Sequence, residues 1–497
     1  MQLHTFVTQK HAAVIRKLAT RPTAKAFYAP ALFVMLAGLP PAIAQADTPD
    51  QEWANWQARQ QQDFQQFKDA RDQAFMGYLE QQWKAFELFK ANVRDDTPKM
   101  STPPVAKHSL ESRPSARQTP AQTDDASRVT AKNPDRLYNT VTEKGLTFFG
   151  HEIERFWTTL PDLPLLSSPD QKQLASFWQI LSQSEYDSLI KGFRLAQDRL
   201  GLGDWSSLLL AQEVARALLT NPNQQAAFCW FLLTKAGLDV RVAFDSQAVY
   251  LLTGTSDKIY GHPYLTLSGK TYYVTSQLPV GKLYSYPENN AYHNSPLHFN
   301  FARVMRESSA IQTRLLASGD EDAPPLRINY DAGITSALAT YPQLDLQSYF
   351  SASPNPATQA SLRVNLTQFL TGMPARDAVN YLLHFVQQRF PYARDEEQFG
   401  EENYLTVEES LYYPYSDCED RSVLLAWLIR DLLHLKVVAL DFPGHVAIAV
   451  KLQPQPGDWA AKLKGEHYVI ADPTYIGADA GMAMPSMQSK RPKVIYF

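Results

Sequence analysis

Near the end of the chain, three residues carry the groups that thiol chemistry needs: Cys418, His445 and Asp472. A thiol attacks as its thiolate, and a helix N-terminus favours that form through unpaired N–H groups and the positive end of the dipole. Cys418 is placed for this. Asp417 precedes it at the capping position, and Val423, Leu424, Trp427, Leu428 and Ile429 give the helix behind it a buried face. Asp417, Glu419 and Asp420 work the other way, because like charge disfavours the thiolate. A cationic neighbour is therefore required, and histidine is the usual one. The second cysteine, Cys229, lies in the apolar helix body Ala226 to Leu233, where cysteine behaves as a small hydrophobe.

The strand register supplies the histidine. If His445–Leu452 and His467–Asp472 form a hairpin, opposed residues have a constant sum of positions. His445 with Asp472 gives 917, as do Val450 with His467 and Leu452 with Gly465. Gln453 to Lys464, with Pro454, Pro456 and Gly457, is then the connecting loop. His445 and Asp472 become cross-strand neighbours on one face. The acid would hold the imidazole's tautomer while the free ring nitrogen shares a proton with the thiol. His434 and His467 read as structural, and the acidic stretch Asp395 to Glu409 reads as a solvated loop. No paired Cys or His at ligand spacing accompanies Cys418, so zinc is not expected.

Tyr415-Ser416-Asp417-Cys418-Glu419-Asp420-Arg421-Ser422, Gly444-His445-Val446 and Ile470-Ala471-Asp472-Pro473-Thr474 together resemble the transglutaminase-like superfamily. The likeness covers residues 360–497. It looks closest to bacterial members, which include exported cysteine proteinases that also carry Asp-Cys-Glu-Asp. The resemblance implies a papain-like α+β fold and acyl transfer to water or to an amine, with Cys418, His445 and Asp472 as nucleophile, base and orienting acid. It also implies Ca2+ near Asp417 or Glu419. The oxyanion donor is sought among Tyr412, Tyr413 and Tyr415, with the Cys418 backbone N–H as the fallback.

The elements that must position these groups follow from periodicity. Helices are predicted from Ser168-Pro169, over 184–199, 204–220 and 223–236, then from Arg376 to Phe390 and from Glu419 to Leu433. Strands are predicted at Val240–Phe244, Ala248–Leu252, Tyr264–Leu267, Thr271–Thr275, Lys436–Leu440, His445–Leu452 and His467–Ala471. Helices followed by antiparallel strands make the class α+β. Residues 235–244 align with 431–440 as helix end, turn and strand, so a helix–strand–strand module occurs in each half of the body. The first lobe, residues 137–359, reads as a degenerate copy. Pro222 stands where Cys418 does, and His262 is retained. A turn at Gly269-Lys270 gives a sum of 539, which sets His262 against Gln277.

Upstream of the body the composition changes twice. Trp53, Phe64, Phe75 and Phe86 recur every 11 residues, as do Trp56, Phe67, Tyr78 and Phe89, so 51–93 reads as one helix with an aromatic stripe. It is expected to pack only loosely on the body, or to associate with itself or an envelope partner. Residues 94–136, rich in Pro, Ser, Thr, Ala and Lys, read as a flexible linker. Lys10, Arg16, Lys17, Arg21 and Lys25, the apolar run Ala31–Leu39 and two small-x-small sites make residues 1–46 an export signal, cut after Ala44 or Ala46. An uncleaved N-terminal anchor is the alternative. Loss of those five cations takes the formal charge of the 497-residue chain from −4 to −9, which gives no reason to expect nucleic acid. The expected function is an exported, periplasmic cysteine peptidase or amidase. The alternatives are transglutaminase-type cross-linking and a non-enzymatic interaction protein that keeps the triad.

Overall fold

In the computed structural model, residues 49–93, 97, 99–106, 139–276, 279, 282–287, 292, 294–316 and 325–497 are described. The export signal, most of the linker and Gln277 lie outside them. Helix α1 (Pro49–Leu79) leads to strand β1 (Lys84–Phe86). Strands β2 (Thr140–Val141), β3 (Gly145–Phe148) and β4 (His151–Glu154) form a small sheet. Then come α2 (Gln171–Ser182), α3 (Asp187–Leu200), α4 (Asp204–Leu218) and α5 (Pro222–Lys235), followed by β5 (Val240–Phe244), β6 (Val249–Gly254), β7 (Tyr264–Leu267), β8 (Lys270–Val274) and β9 (Leu283–Ser285). The pair β10 (Ile311–Leu316) and β11 (Leu326–Asp331) precedes α6 (Ala332–Leu338), α7 (Leu346–Ser351), α8 (Pro356–Leu370) and α9 (Ala375–Arg389). The chain closes with α10 (Asp395–Gln398), α11 (Val407–Tyr412), α12 (Cys418–Leu433), β12 (Val437–Phe442), β13 (His445–Lys451), β14 (Ala460–Leu463), β15 (Glu466–Ala471) and β16 (Lys493–Ile495). The class is α+β. None of the described helices is long and apolar enough to cross a membrane.

The two main sheets share one topology. The first runs β9-β5-β6-β8-β7, with β1 added beyond β9, and the second runs β16-β12-β13-β15-β14. Each follows a helix whose body is buried, α5 or α12. Pro222 and Cys418 open those helices, Val249 and His445 open the second strand, and Ser268 and Lys464 open the last hairpin turn; each pair is 196 positions apart. Both turns, Ser268-Gly269 and Lys464-Gly465, hold two residues at positive φ, which suits the twist of a two-residue hairpin.

This topology corrects three expectations. The β13–β15 pairing is Ile448 with Ala471 and Val450 with Val469, a sum of 919 rather than 917. The chain also does not pass directly from one to the other, because β14 occupies part of the supposed loop and pairs outside β15. In the first lobe the turn is at Ser268-Gly269, and His262 lies in the β6–β7 connection, where its Nδ1 is 2.9 Å from the Val274 carbonyl. By sheet position the counterparts of Cys418, His445 and Asp472 are Pro222, Val249 and the pair Thr275-Ser276. None of these is a nucleophile, a base or an acid.

The N-terminal helix differs too. By its contacts the chain divides between Asp63 and Phe64. Before that point Trp53 and Trp56 are exposed and stack on each other at 4.9 Å. Within the body, α1 stops at Leu79, so Trp83, Phe86 and Phe89 lie beyond the helix, and Phe86 sits in β1. Phe75 and Leu79 are fully buried, and Phe75 packs edge-on against Trp178, Tyr286 and Tyr292. Asp72 accepts from Tyr186 Oη at 3.0 Å and is bonded by Lys235 and Tyr292. The end of α1 is therefore core, not a loose attachment, because its aromatics fill a pocket that only large rings close. Phe75→Ala is expected to cost about 3–5 kcal/mol in urea unfolding, whereas Phe67→Ala, at an exposed site, should stay within about 0.5 kcal/mol. Equal, small effects at both positions would restore the loosely tethered helix.

Candidate active site

Cys418 is the first residue of α12 and is buried. Asp417 holds the N-cap position without a side-chain cap hydrogen bond: Oδ2 lies 2.6 Å from Lys99 Nζ, and Oδ1 has no hydrogen-bond partner among the described residues. The Asp417 N–H instead donates to Asp420 Oδ2 at 3.2 Å, while Asp420 Oδ1 accepts from the Leu405 N–H at 2.8 Å. Glu419 is shared, since one oxygen pairs with Lys99 and the other accepts the Cys418 S–H at 3.0 Å. Lys99 also meets Glu402 at 2.6 Å and Asp395 at 3.9 Å.

Burial decides the charges here. It pushes the Cys418 thiol well above its usual range; Glu419 and Asp417 push it further, and Lys99 pulls it back. Burial opposes the Lys99 charge, but Glu419, Asp417 and Asp395 outweigh it and raise the ammonium's pKa. Glu402 is pushed up to about 7, by burial first and then by Glu419. The thiol therefore rests as a neutral donor to a carboxylate.

His445 opens β13, and its Nε2 is 2.8 Å from Asp472 Oδ2, with both side chains buried. A carboxylate only accepts, so Nε2 carries a proton, and in the neutral ring Nδ1 is then the nitrogen with the lone pair. Nδ1 has no hydrogen-bond partner among the described residues. The slip of two in register preserves this contact, because strand faces alternate with period two. Asp472, one residue past β15, sits diagonal to His445 rather than opposite it, still within reach. Ser422, one turn after Cys418, donates to the Val446 carbonyl at 3.0 Å and fixes the start of α12 to the start of β13. The structure thus pairs the histidine with the acid and brings the cysteine's helix against that strand. It gives the thiol to Glu419, not to His445.

Several residues in this frame have no role that the sequence assigns. Gln387 on α9 donates to the carbonyls of Asp472, Tyr475 and Ala478 and accepts from the Gly477 N–H, so it clamps the turn after Asp472. Arg421, fully buried, ties α12 to the Pro473 carbonyl at 3.2 Å and to the Phe390 carbonyl. Tyr392 pairs with Ser416, two residues before Cys418, in a β-bridge, and its phenol is raised by burial and then by Cys418. Among the expected oxyanion donors, Tyr413 is buried against Phe399 and Tyr412.

The stretch Asp395–Glu409 is not a solvated loop. It forms α10 and α11, and Asp395, Glu408 and Glu409 are buried. Their carboxylates accept from backbone N–H groups of Asn403, Asp331 and Thr406, which a charge pattern alone does not reveal. Asp395, Asp417 and Asp420, and separately Asp395, Glu402 and Glu419, come close enough to share a cation. Hard carboxylate oxygens suit Ca2+, but the Lys99 ammonium already binds Asp417 and Glu419, so an ion there would compete with it.

A raised thiol has a direct consequence: it holds its proton through neutral pH, so thiolate absorbance at 240 nm should show no step between pH 5 and 8, measured against Cys418→Ser. Burial raises Cys229 to about 12, which keeps it out of that window. Glu419→Gln removes the proton's acceptor and one negative charge, and should move the Cys418 step downward. A step already present near pH 6 in the unaltered chain would show a thiolate–imidazolium pair and contradict the resting state described above.

No protein-family model matches the chain, and neither a curated protein nor a solved structure does.

Proposed function

We propose that the protein is a thiol-dependent acyl-transfer enzyme acting on a protein or peptide amide, with Cys418 as nucleophile, His445 as base and then acid, and Asp472 as orienter. The observation that carries this is the buried His445–Asp472 hydrogen bond, which leaves Nδ1 bare on the strand that meets the Cys418 helix. For reaction the thiol turns from Glu419 to Nδ1 and passes its proton there. Sulfur then bonds to the amide carbon, the carbonyl electrons move onto oxygen, and collapse expels the amine, which takes the proton from His445. Water, deprotonated by His445, adds to the thioester and returns the thiol; an amine in its place gives cross-linking. Hydrolysis is favoured because water is the default acceptor.

The helix start set against strands bearing His and Asp supports a papain-like, transglutaminase-like second lobe. The shared strand order supports a related first lobe that has lost the chemistry. With the basic leader and small-x-small sites, the setting is the periplasm. An interaction protein that keeps the triad is favoured by one observation, the exposed Trp53–Trp56 stack.

An electrophilic amide mimic separates the two. A peptidyl vinyl sulfone should label Cys418, and His445→Ala should abolish the labelling while leaving the protein folded. Asp472→Asn should slow it less than Asp472→Ala, because an amide still holds the ring although it cannot stabilise imidazolium. Labelling that is indifferent to His445 would leave only a reactive cysteine.

A further inference from the structure

Residues 99–106 cross the candidate site from one side to the other. At one end Lys99 is bonded to Asp417 and Glu419, which flank Cys418, and to Glu402. Next to it the Met100 carbonyl accepts from Tyr392 Oη at 2.7 Å. At the other end Ile476, four residues past Asp472, makes a two-bond parallel bridge: its N–H donates to the Pro104 carbonyl and its carbonyl accepts from the Ala106 N–H, both at 2.9 Å. Ala106 is fully buried against the cluster that holds Phe442, Tyr468 and Tyr475. Cys418, His445 and Asp472 are 1%, 2% and 1% exposed. No amide can reach a sulfur so enclosed, so something must move before the site can act.

The segment that crosses the site is bound as a substrate would be. It bends at Ser101 and Thr102 and then pairs main chain to main chain, it places a carbonyl on the Tyr392 phenol, and it sets a side chain in a pocket of opposite charge. Its attachment is local: the Lys99 ammonium among four carboxylates, one phenol bond, one two-bond bridge, and the packing of Met100 and Ala106 on one cluster.

We propose that residues 99–106 are an internal block that lies in the peptide groove of the Cys418 site, and that the site opens when this segment leaves. A peptide taking its place finds the same handles, so a basic side chain entering the Asp417–Glu419–Glu402 nest is favoured. As a statement about catalysis this rests on Cys418 being the nucleophile; as a statement about access it does not.

Access is read on the full-length chain by iodoacetamide labelling with peptide mapping, and buried Cys229 reports any unfolding. Ala106→Arg puts a charge into the buried end of the segment and should speed Cys418 labelling by roughly tenfold or more while Cys229 stays protected. A synthetic peptide of residues 99–106 should restore protection to that variant, and the same peptide with Lys99→Glu should not. Unchanged Cys418 labelling in a variant with Cys229 protected overturns the proposal, as does equal protection by both peptides. If Cys229 is also exposed in the variant, the unaltered chain decides. There, hydrogen exchange at the Ala106 and Ile476 amides should give the same opening free energy as Cys418 labelling, and labelling that follows global unfolding instead overturns the proposal. None of these readouts needs turnover, so failure of the enzyme assignment leaves them intact.

Discussion

Everything at this site depends on how buried negative charge is balanced at the start of α12. Asp395, Asp417, Glu419 and Asp420 are almost wholly buried there, and Glu402 joins them at the edge. Ionised carboxylates out of water are tolerated only when paired or hydrogen-bonded. Backbone N–H groups of Leu405, Asn403 and Asp417 satisfy part of the demand, and Lys99 meets the rest. The same balance sets the thiol: Glu419 accepts its S–H hydrogen bond, and Lys99 opposes the burial and the Asp417 charge that raise the Glu419 carboxyl. A segment more than three hundred residues away in sequence thereby controls the state of Cys418.

The two lobes show the same frame with and without chemistry. Pro222 begins α5 as Cys418 begins α12, and Asn221 caps α5 through its side chain, accepting from the N–H groups of Asn223 and Gln224. In the second lobe Asp417 makes no side-chain cap hydrogen bond, and its carboxylate meets Lys99. A helix start that is purely structural in one copy is thus surrounded by buried carboxylates in the other. Val249 and Thr275-Ser276, at the places of His445 and Asp472, complete the contrast.

Much of the frame was legible in sequence because it is written in local patterns. Strands β5 to β8, β12, β13 and β15 and the helices α3, α4, α5, α9 and α12 come from periodicity, and their ends differ by only a few residues. α2 starts from Asp170, whose side chain caps it, rather than from Ser168. The hairpin sum placed His445 and Asp472 on one face but missed the two-residue slip, because β14 supplies a third strand that polar, proline-containing sequence conceals. The aromatic repeat predicts one helix, yet Phe75 and Leu79 are captured by the body and the helix ends there. Lys99 lay beyond reach altogether. A lysine in a Pro- and Thr-rich stretch reads as a solvated charge, and only the folded chain shows which carboxylates await it.

The most direct test of the central claim is a covalent acyl-enzyme. Full-length protein, opened by Ala106→Arg, would be mixed with a peptide pool, quenched in acid, and weighed intact and after digestion. An added acyl mass is expected on the peptide containing Cys418, cleared by hydroxylamine and absent from the Cys418→Ala form of the same opened chain. Peptide products that form equally with and without Cys418, and no acyl mass on the sulfur, would contradict it.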